Sequence, residues 1–450
     1  MKNQKSAEER IDYDYPWWMK TLAGIGGVAV AGIIVTLFFS MGRRPSDITL
    51  PYSPPVESPD FMIGLAGVAG GPLRTGGTAR LLNNGDEFFP ALYEALKGAK
   101  QSINFSVYIW EESKPGTEIF AILTERARAG VQVRILLDGL GGMKAPEEAI
   151  EKLEAAGGKV KAFRSARLGR LTRFHKRNHR RAIVVDGSVA FTGGMAVGDK
   201  WLGHAQDPEH WRDSMVQVTG PLAATLQSAF VDNWAHVPDD DETGGEILIG
   251  PAFFPEFPPP AAGPGESIAV HTGINSSPSS ENHPMRLVYL QAFSAARRNL
   301  YIANSYFVPD ETIRKAVIER AKQGVDVRIL LPGENTDAKP IRQTGHMYFE
   351  DLMEAGVKIY EYQPTMMHAK TVVVDGRFSV VGSSNMDVRS KELNQENVLA
   401  ILDTGFAKQL EDTFVGDLKN AKEIDLGEWR RRGLLKKFTE KASSLFAEQY

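Results

Sequence analysis

The phrase RNHRRAIVVDGSVAFTGG (177–194) returns almost unchanged as MMHAKTVVVDGRFSVVGS (366–383). Each copy sets a histidine seven residues ahead of an Asp-Gly pair. Matching His179 with His368 gives an offset of 189 residues, which also aligns Gly193 with Gly382. The elements ahead of the phrase repeat as well. SINFSVYIW is followed by EIFAILTERARAGVQVRILLDG (118–139), and NLYIANSYFVP by TIRKAVIERAKQGVDVRILLPG (312–333). Each stretch alternates apolar residues, then spaces them by three and four, stops at a glycine and closes on Val, Ile and Leu. That is a strand, a helix, a helix stop and a strand. A further helix–Gly–strand follows in both copies, IEKLEAAGGKVKAF (150–163) and FEDLMEAGVKIYEY (349–362).

Strand–helix–strand order predicts parallel strands with right-handed crossovers. A period this long, in two copies, excludes a solenoid and predicts an internal duplication: two tandem, similar α/β domains (80–245 and 268–425) related by a pseudo-two-fold axis. Such an axis places equivalent elements face to face, so a site built on it holds one histidine from each copy.

The phrase itself suits phosphate chemistry. His179 and Arg181 lie two apart on a strand and project from one face, as do His368 and Lys370. Each copy therefore presents an imidazole beside a permanent cation. The cation holds phosphate oxygens, and the imidazole moves a proton or attacks phosphorus. With two copies, one histidine serves as nucleophile and the other as general acid. A two-step displacement through a phosphohistidine then needs no metal and no cofactor. A single His-x-Lys is common and uninformative, and a duplicated structural strand is the bland alternative; the repeated context favours a shared phosphate site.

HAKTVVVDG…GSSN reads as the HxKx4Dx6GSxN signature of the phospholipase D superfamily, and HRRAIVVDG…GG as its degenerate partner. The resemblance spans roughly residues 80–435 and takes in YIW, RARAGVQVRILLDG, HWRDSMVQVTGP and SYFVPD. The GSSNMDVRSKELNQENVLAI stretch is similar to the bacterial cardiolipin synthases. The resemblance implies a duplicated phospholipase D-like fold in which His179 is the nucleophile and His368 the general acid/base. Arg181 and Lys370 would bind the phosphoryl oxygens, and Ser383 and Asn385 would line the pocket. In such proteins an acidic residue downstream of each motif orients the histidine, and Asp213 and Glu396 hold those places. Asp186 and Asp375 belong to the motifs, but their turn positions suggest support more than chemistry. The sequence departs from the pattern twice in the first copy. Arg181 stands where lysine is usual, keeping the charge but differing in shape and hydration, and Ala196 stands where asparagine is usual.

The implied activity is that of a membrane-anchored phosphatidyltransferase of the cardiolipin synthase type, converting two phosphatidylglycerols into cardiolipin and glycerol. The alternatives are a phospholipid hydrolase, a nuclease on the same scaffold, and a non-catalytic lipid-binding scaffold. The formal net charge of -4 and the apolar N-terminus argue against the nuclease, and no nucleic-acid partner is expected. The chain has no cysteine, which excludes disulfides, thiol nucleophiles and cysteine-ligated zinc.

Outside the repeat, residues 22–41 form an uncharged apolar run long enough to cross a bilayer as a helix. It follows the N-terminal segment 1–21, which ends near Trp17, Trp18 and Lys20, and Arg43 and Arg44 come after it. A cleaved signal peptide has a shorter apolar core and a small-x-small site, so a retained anchor is expected. The flanking charges leave the side of the membrane open. Prolines mark residues 45–75 as a linker, and again 250–267, where Phe253, Phe254 and Phe257 offer a minor option of lipid contact. Two basic stretches suit an anionic phospholipid. One, Arg164–Arg181, leads into the first histidine, and the other fills 428–450. The latter reads equally as a helix on an anionic surface, at roughly 1 kcal/mol per basic residue, or as a helix packed on the domain.

Overall fold

The computed structural model describes residues 52–164, 177–237, 245–257, 270–276, 283–387, 389–390 and 393–433, with a few isolated positions from Pro16 to Leu50. Residues 49–450 form one compact unit. Most of the apolar run 22–41, the linker residues 258–267, and residues 165–176 and 434–450 of the basic stretches lie outside the described residues. Among the described residues no helix is long and apolar enough to cross a membrane.

Among the described residues sixteen strands, labelled in chain order, make two mixed sheets. After β1 (Arg74–Thr75), the first sheet takes β2 (Ala79–Asn83), β3 (Ser102–Val107), β4 (Gln132–Asp138), β5 (Lys159–Phe163), β6 (Ala182–Val185), β7 (Val189–Gly193) and β8 (Ser214–Thr219) in the order β2-β8-β7-β6-β3-β4-β5. The second takes β9 (Val270–Ser276), β10 (Asn299–Ala303), β11 (Asp326–Pro332), β12 (Lys358–Tyr362), β13 (Thr371–Val374), β14 (Phe378–Gly382), β15 (Glu396–Leu402) and β16 (Ala421–Glu423) in the order β1-β9-β15-β14-β13-β10-β11-β12-β16. The predicted parallel strands are present, as β3-β4-β5 and β10-β11-β12. The histidine phrases then run antiparallel beside them, β6 on β3 and β13 on β10.

Local signals explain the crossovers. Ser113 caps the helix Lys114–Arg128 by accepting from the Gly116 N–H, and Asp310 caps Glu311–Lys322 through Ile313. Gly130 and Gly324 end those helices in the left-handed region, at φ of 87° and 89°.

The apolar run of β6 is buried on both faces, and its residues divide by alternation. Ile183 and Val185 join a core within the first half, with Phe105, Trp110 and Phe191. Ala182 and Val184 face a second core shared with Tyr301, Val373 and Leu399 of the other half. Helices Ala223–Ala235 and Thr404–Leu418 fill that shared layer, the first against β6, β7 and β9, the second against β13, β14 and β2.

Three stretches outside the repeat are more ordered than their composition suggests. Within 45–75, Pro59–Ala69 is a helix capped by Ser58, and it buries Phe61, Met62 and Leu65. Phe61 meets Phe378 edge-on at 4.9 Å, so this segment is built onto the second half. Its N-cap signature is Ser-Pro-Asp ahead of an apolar run, with Pro59 at the first helical position. Within 250–267, Phe253 is buried in the shared core rather than offered to lipid, with the Arg134 guanidinium 5.1 Å from its ring centre. Within 428–450, Trp429 packs on Phe349 at 5.0 Å, which favours the domain-packed reading for that part of the segment.

Candidate active site

Both histidines sit just ahead of their strands, where the two halves meet. The backbones cross-pair there. His179 N–H donates to Gln395 C=O (2.9 Å), and His368 N–H donates to Arg212 C=O (2.7 Å). Each histidine segment thus lies beside the acid-bearing segment of the opposite half, in short parallel bridges Asn178–Gln395 and Arg212–Met367.

The acids cross over accordingly. His179 Nδ1 lies 2.9 Å from the carboxylate of Glu396, and His368 Nδ1 lies 2.6 Å from Asp213 Oδ2. The acid downstream of each motif therefore serves the histidine of the other. Both carboxylates are fully buried. With each Nδ1 tethered, each Nε2 is left as the reacting nitrogen.

The cations take equivalent places with different neighbours. Lys370 Nζ donates to Ser305 Oγ (2.7 Å) and to the His368 carbonyl. Arg181 Nη1 donates to the His179 carbonyl (2.7 Å), and its guanidinium lies 5.9 Å from the Tyr108 ring centre. Ile103 pairs with Val185 and Leu300 with Val374, so Tyr108 and Ser305 are equivalent positions. Tyr108 also meets His179 edge-on at 4.9 Å, while Trp211 lies 5.1 Å from His368.

Burial governs the electrostatics. It pushes His179 well down, and the charges of Arg181, Lys370 and His368 push it further. Those last two come from the opposite half, so the four groups share one site. His368 is pushed down to about 4 by burial and then by Lys370. Lys370 is pushed down to about 7 by burial. Burial raises Glu396 to about 8, against the pull of Ser383 and Arg181. Burial thus keeps the site's charges low, and a bound anion would restore the cations.

The remaining motif residues divide. Ser383 Oγ donates to Glu396 Oε2 and accepts the Asn397 N–H at 3.0 Å. Asn385 is buried, and its Oδ1 has no hydrogen-bond partner among the described residues. Ala196 is buried in the first-half core instead. Asp186 and Asp375, at positive φ, each accept three consecutive backbone N–H groups at the entry to the neighbouring strand: Lys100, Gln101 and Ser102 for one, Arg297, Arg298 and Asn299 for the other. They brace turns rather than face the histidines. The described end of the first basic stretch is likewise internal, with Arg177 paired to Asp138 (3.4 Å) and Arg180 to Asp232 (2.7 Å).

Sequence reasoning missed Asn397, which stitches the halves, and Asn178, whose side chain bonds Ser106 and Asn233 within the first half. Asn397 accepts the Arg181 N–H at 3.0 Å and donates to the Arg181 carbonyl at 2.9 Å. It also missed Tyr108, Ser305, Trp201 and Trp211.

A family model described as "Cardiolipin synthase, PLD-like domain" matches residues 92–234 and 289–418. Cardiolipin synthase 2 of Bacillus anthracis is 34% identical over 369 residues, covering 82% of this chain and 70% of that protein. Cardiolipin synthase A of Pseudomonas fluorescens is 34% identical over 378 residues, 84% of this chain and 76% of that protein. Among solved structures, phosphatidylserine synthase of Haemophilus influenzae matches with a TM-score of 0.65 over 87% of this chain and 100% of that one, at 15% identity, a likeness of fold. The matched residues hold both histidine phrases, Asp213 and Glu396, and the chain belongs to the cardiolipin synthase branch of the phospholipase D-like proteins.

Proposed function

We propose that this protein is a phosphatidyltransferase that makes cardiolipin and glycerol from two molecules of phosphatidylglycerol. The observation that carries the reading is the crossed pair of buried dyads, His179–Glu396 and His368–Asp213, flanked by Arg181 and Lys370. Two imidazoles with free Nε2 atoms and two cations are the parts that a double displacement at phosphorus requires.

In this reading Arg181 and Lys370 hold the non-bridging phosphoryl oxygens, with Asn385 adding a polar contact. The anionic diester offsets the cations that depress His368 and raises it, so that its Nε2 carries a proton. His179 Nε2 attacks phosphorus as the bond to the glycerol oxygen breaks, and His368 gives that oxygen its proton. The phosphatidyl group is then held on His179. In the second step His368 takes the proton from a hydroxyl of the second phosphatidylglycerol, whose oxygen attacks phosphorus and frees His179. The assignment of His179 as the nucleophile follows the family resemblance of its motif. Asp213 and Glu396 hold the rings and stabilise each imidazolium. Residues 22–41 serve as the anchor that keeps the site at the lipid surface.

The test is product analysis of the purified full chain in phosphatidylglycerol vesicles. Cardiolipin and glycerol in equal amounts support transfer. Phosphatidic acid without cardiolipin would establish a hydrolase instead, and no turnover would establish a lipid-binding scaffold. Extraction of membranes with alkaline carbonate tests the anchor, which should resist release and lose that resistance when residues 22–41 are deleted.

A further inference from the structure

The two dyads are braced differently. In the second half Ser383 donates its hydroxyl to Glu396 and receives the Asn397 N–H. Gly193 pairs with Met215 and Gly382 with Val398, which makes Gly194 the counterpart of Ser383 and Asp213 that of Glu396. No side chain fits at Gly194, because a Cβ there would lie 2.2 Å from Asp213 Oδ1. Aspartate is one methylene shorter than glutamate, so its carboxylate sits back in the space that the serine occupies in the other half. The Ser214 N–H accordingly bonds Asp213 Oδ1 directly, at 2.8 Å.

The missing hydroxyl donor has a substitute. Trp201 Nε1 lies 3.2 Å from Asp213 Oδ2, the same oxygen that accepts from His368 Nδ1. Trp201 is buried and held by the short turn Asp199–Trp201, over a backbone approach that only Gly85 permits, since a Cβ there would lie 2.1 Å from the Trp201 carbonyl. Its ring lies 6.0 Å from His368 and meets Trp211 edge-on at 5.2 Å.

We propose that Trp201 is the positioning residue of the His368 half of the site, doing for Asp213 what Ser383 does for Glu396. A carboxylate that accepts from both an indole N–H and an imidazole N–H is fixed in direction, and it fixes the His368 ring with it. His368 Nε2 is then aimed at the leaving oxygen in the first step and at the acceptor hydroxyl in the second. The inference rests on the reading of His368 as general acid/base.

The experiment uses the full chain in vesicles, with Trp201→Phe, which keeps the ring and removes the N–H. Two substrates separate the steps: phosphatidylglycerol, whose glycerol must be protonated to leave, and phosphatidyl-p-nitrophenol, whose phenolate leaves without a proton. Trp201→Phe should lower phosphatidylglycerol turnover by about 10- to 100-fold, as for a lost hydrogen bond to a buried charge. The rapid burst of p-nitrophenolate should keep its amplitude and, to within about twofold, its rate, because His179 attack is untouched. Ser383→Ala, which loosens Glu396, should slow the burst instead. Loss of the burst in Trp201→Phe, or unchanged turnover of phosphatidylglycerol, would overturn the proposal. The underlying reading fails separately: if His368→Ala abolishes the burst while His179→Ala keeps it, the two histidines have exchanged roles.

Discussion

The two halves of the molecule share a backbone and differ in the side chains around it. In both, the histidine strand runs antiparallel to the first parallel strand in the same register, and an aspartate braces the following turn. The first half sets Arg181 against Tyr108 and uses Asp213 with Gly194 and Trp201. The second sets Lys370 against Ser305 and uses Glu396 with Ser383. The substitutions come in matched sets: a longer cation faces a ring instead of a hydroxyl, and a shorter acid comes with a glycine and a distant donor. A duplicated site diverges by such compensated groups, because each buried polar atom must still find a partner.

The largest expected effects would break the symmetry outright. His179→Ala should cost roughly ten-thousand-fold in turnover and abolish any labelled phosphohistidine, whereas His368→Ala should cost as much with phosphatidylglycerol yet still trap the phosphatidyl group on His179 when phosphatidyl-p-nitrophenol is the donor. Quenched single-turnover samples with labelled lipid check both. The crossed acids come next. Glu396→Gln should slow formation of the intermediate and Asp213→Asn the protonation of glycerol, each by about 100- to 1000-fold. If each acid instead affected the histidine of its own half, the crossed arrangement would be wrong.

Smaller effects sharpen the contrast between the cations. Lys370 is pushed down to about 7 by burial, so its charge is present below that pH and lost as pH rises through it. Arg181 is lowered by burial too, but a guanidinium stays charged. The KM for phosphatidylglycerol should therefore rise above about pH 7, by up to about tenfold per unit. Bound substrate opposes the loss by raising Lys370. Lys370→Arg should flatten that limb, and a KM profile taken across neutral pH decides it. The smallest effect belongs to Asn385, whose Oδ1, without a partner among the described residues, has no counterpart at Ala196. Asn385→Ala should reduce kcat/KM by about tenfold, the scale of one hydrogen bond.

Much of this is legible in the sequence. The parallel strands, the crossover helices and their glycine stops follow from apolar periodicity, which local chemistry sets. The pairing of two histidines with two cations follows from the repeated phrase. The helix Pro59–Ala69 was not legible because prolines flank it and its apolar face is satisfied only by the second half, at Phe378. Phe253 read as a linker residue for the same reason: its partners lie far away in sequence.

The sequence by itself determined that there are two units, that each carries a histidine two residues from a cation beside a buried strand, and that acids follow downstream. Those are properties of spacing and residue type, and they survive any arrangement of the halves. Only the tertiary structure decided which acid meets which histidine. The segments His179 and Gln395 and the segments Arg212 and His368 pair across the junction, and no local signal encodes a contact between halves. It also decided that an indole stands in for a hydroxyl at Asp213. A donor separated by a loop from its acceptor becomes visible only when packing brings the two within 3.2 Å.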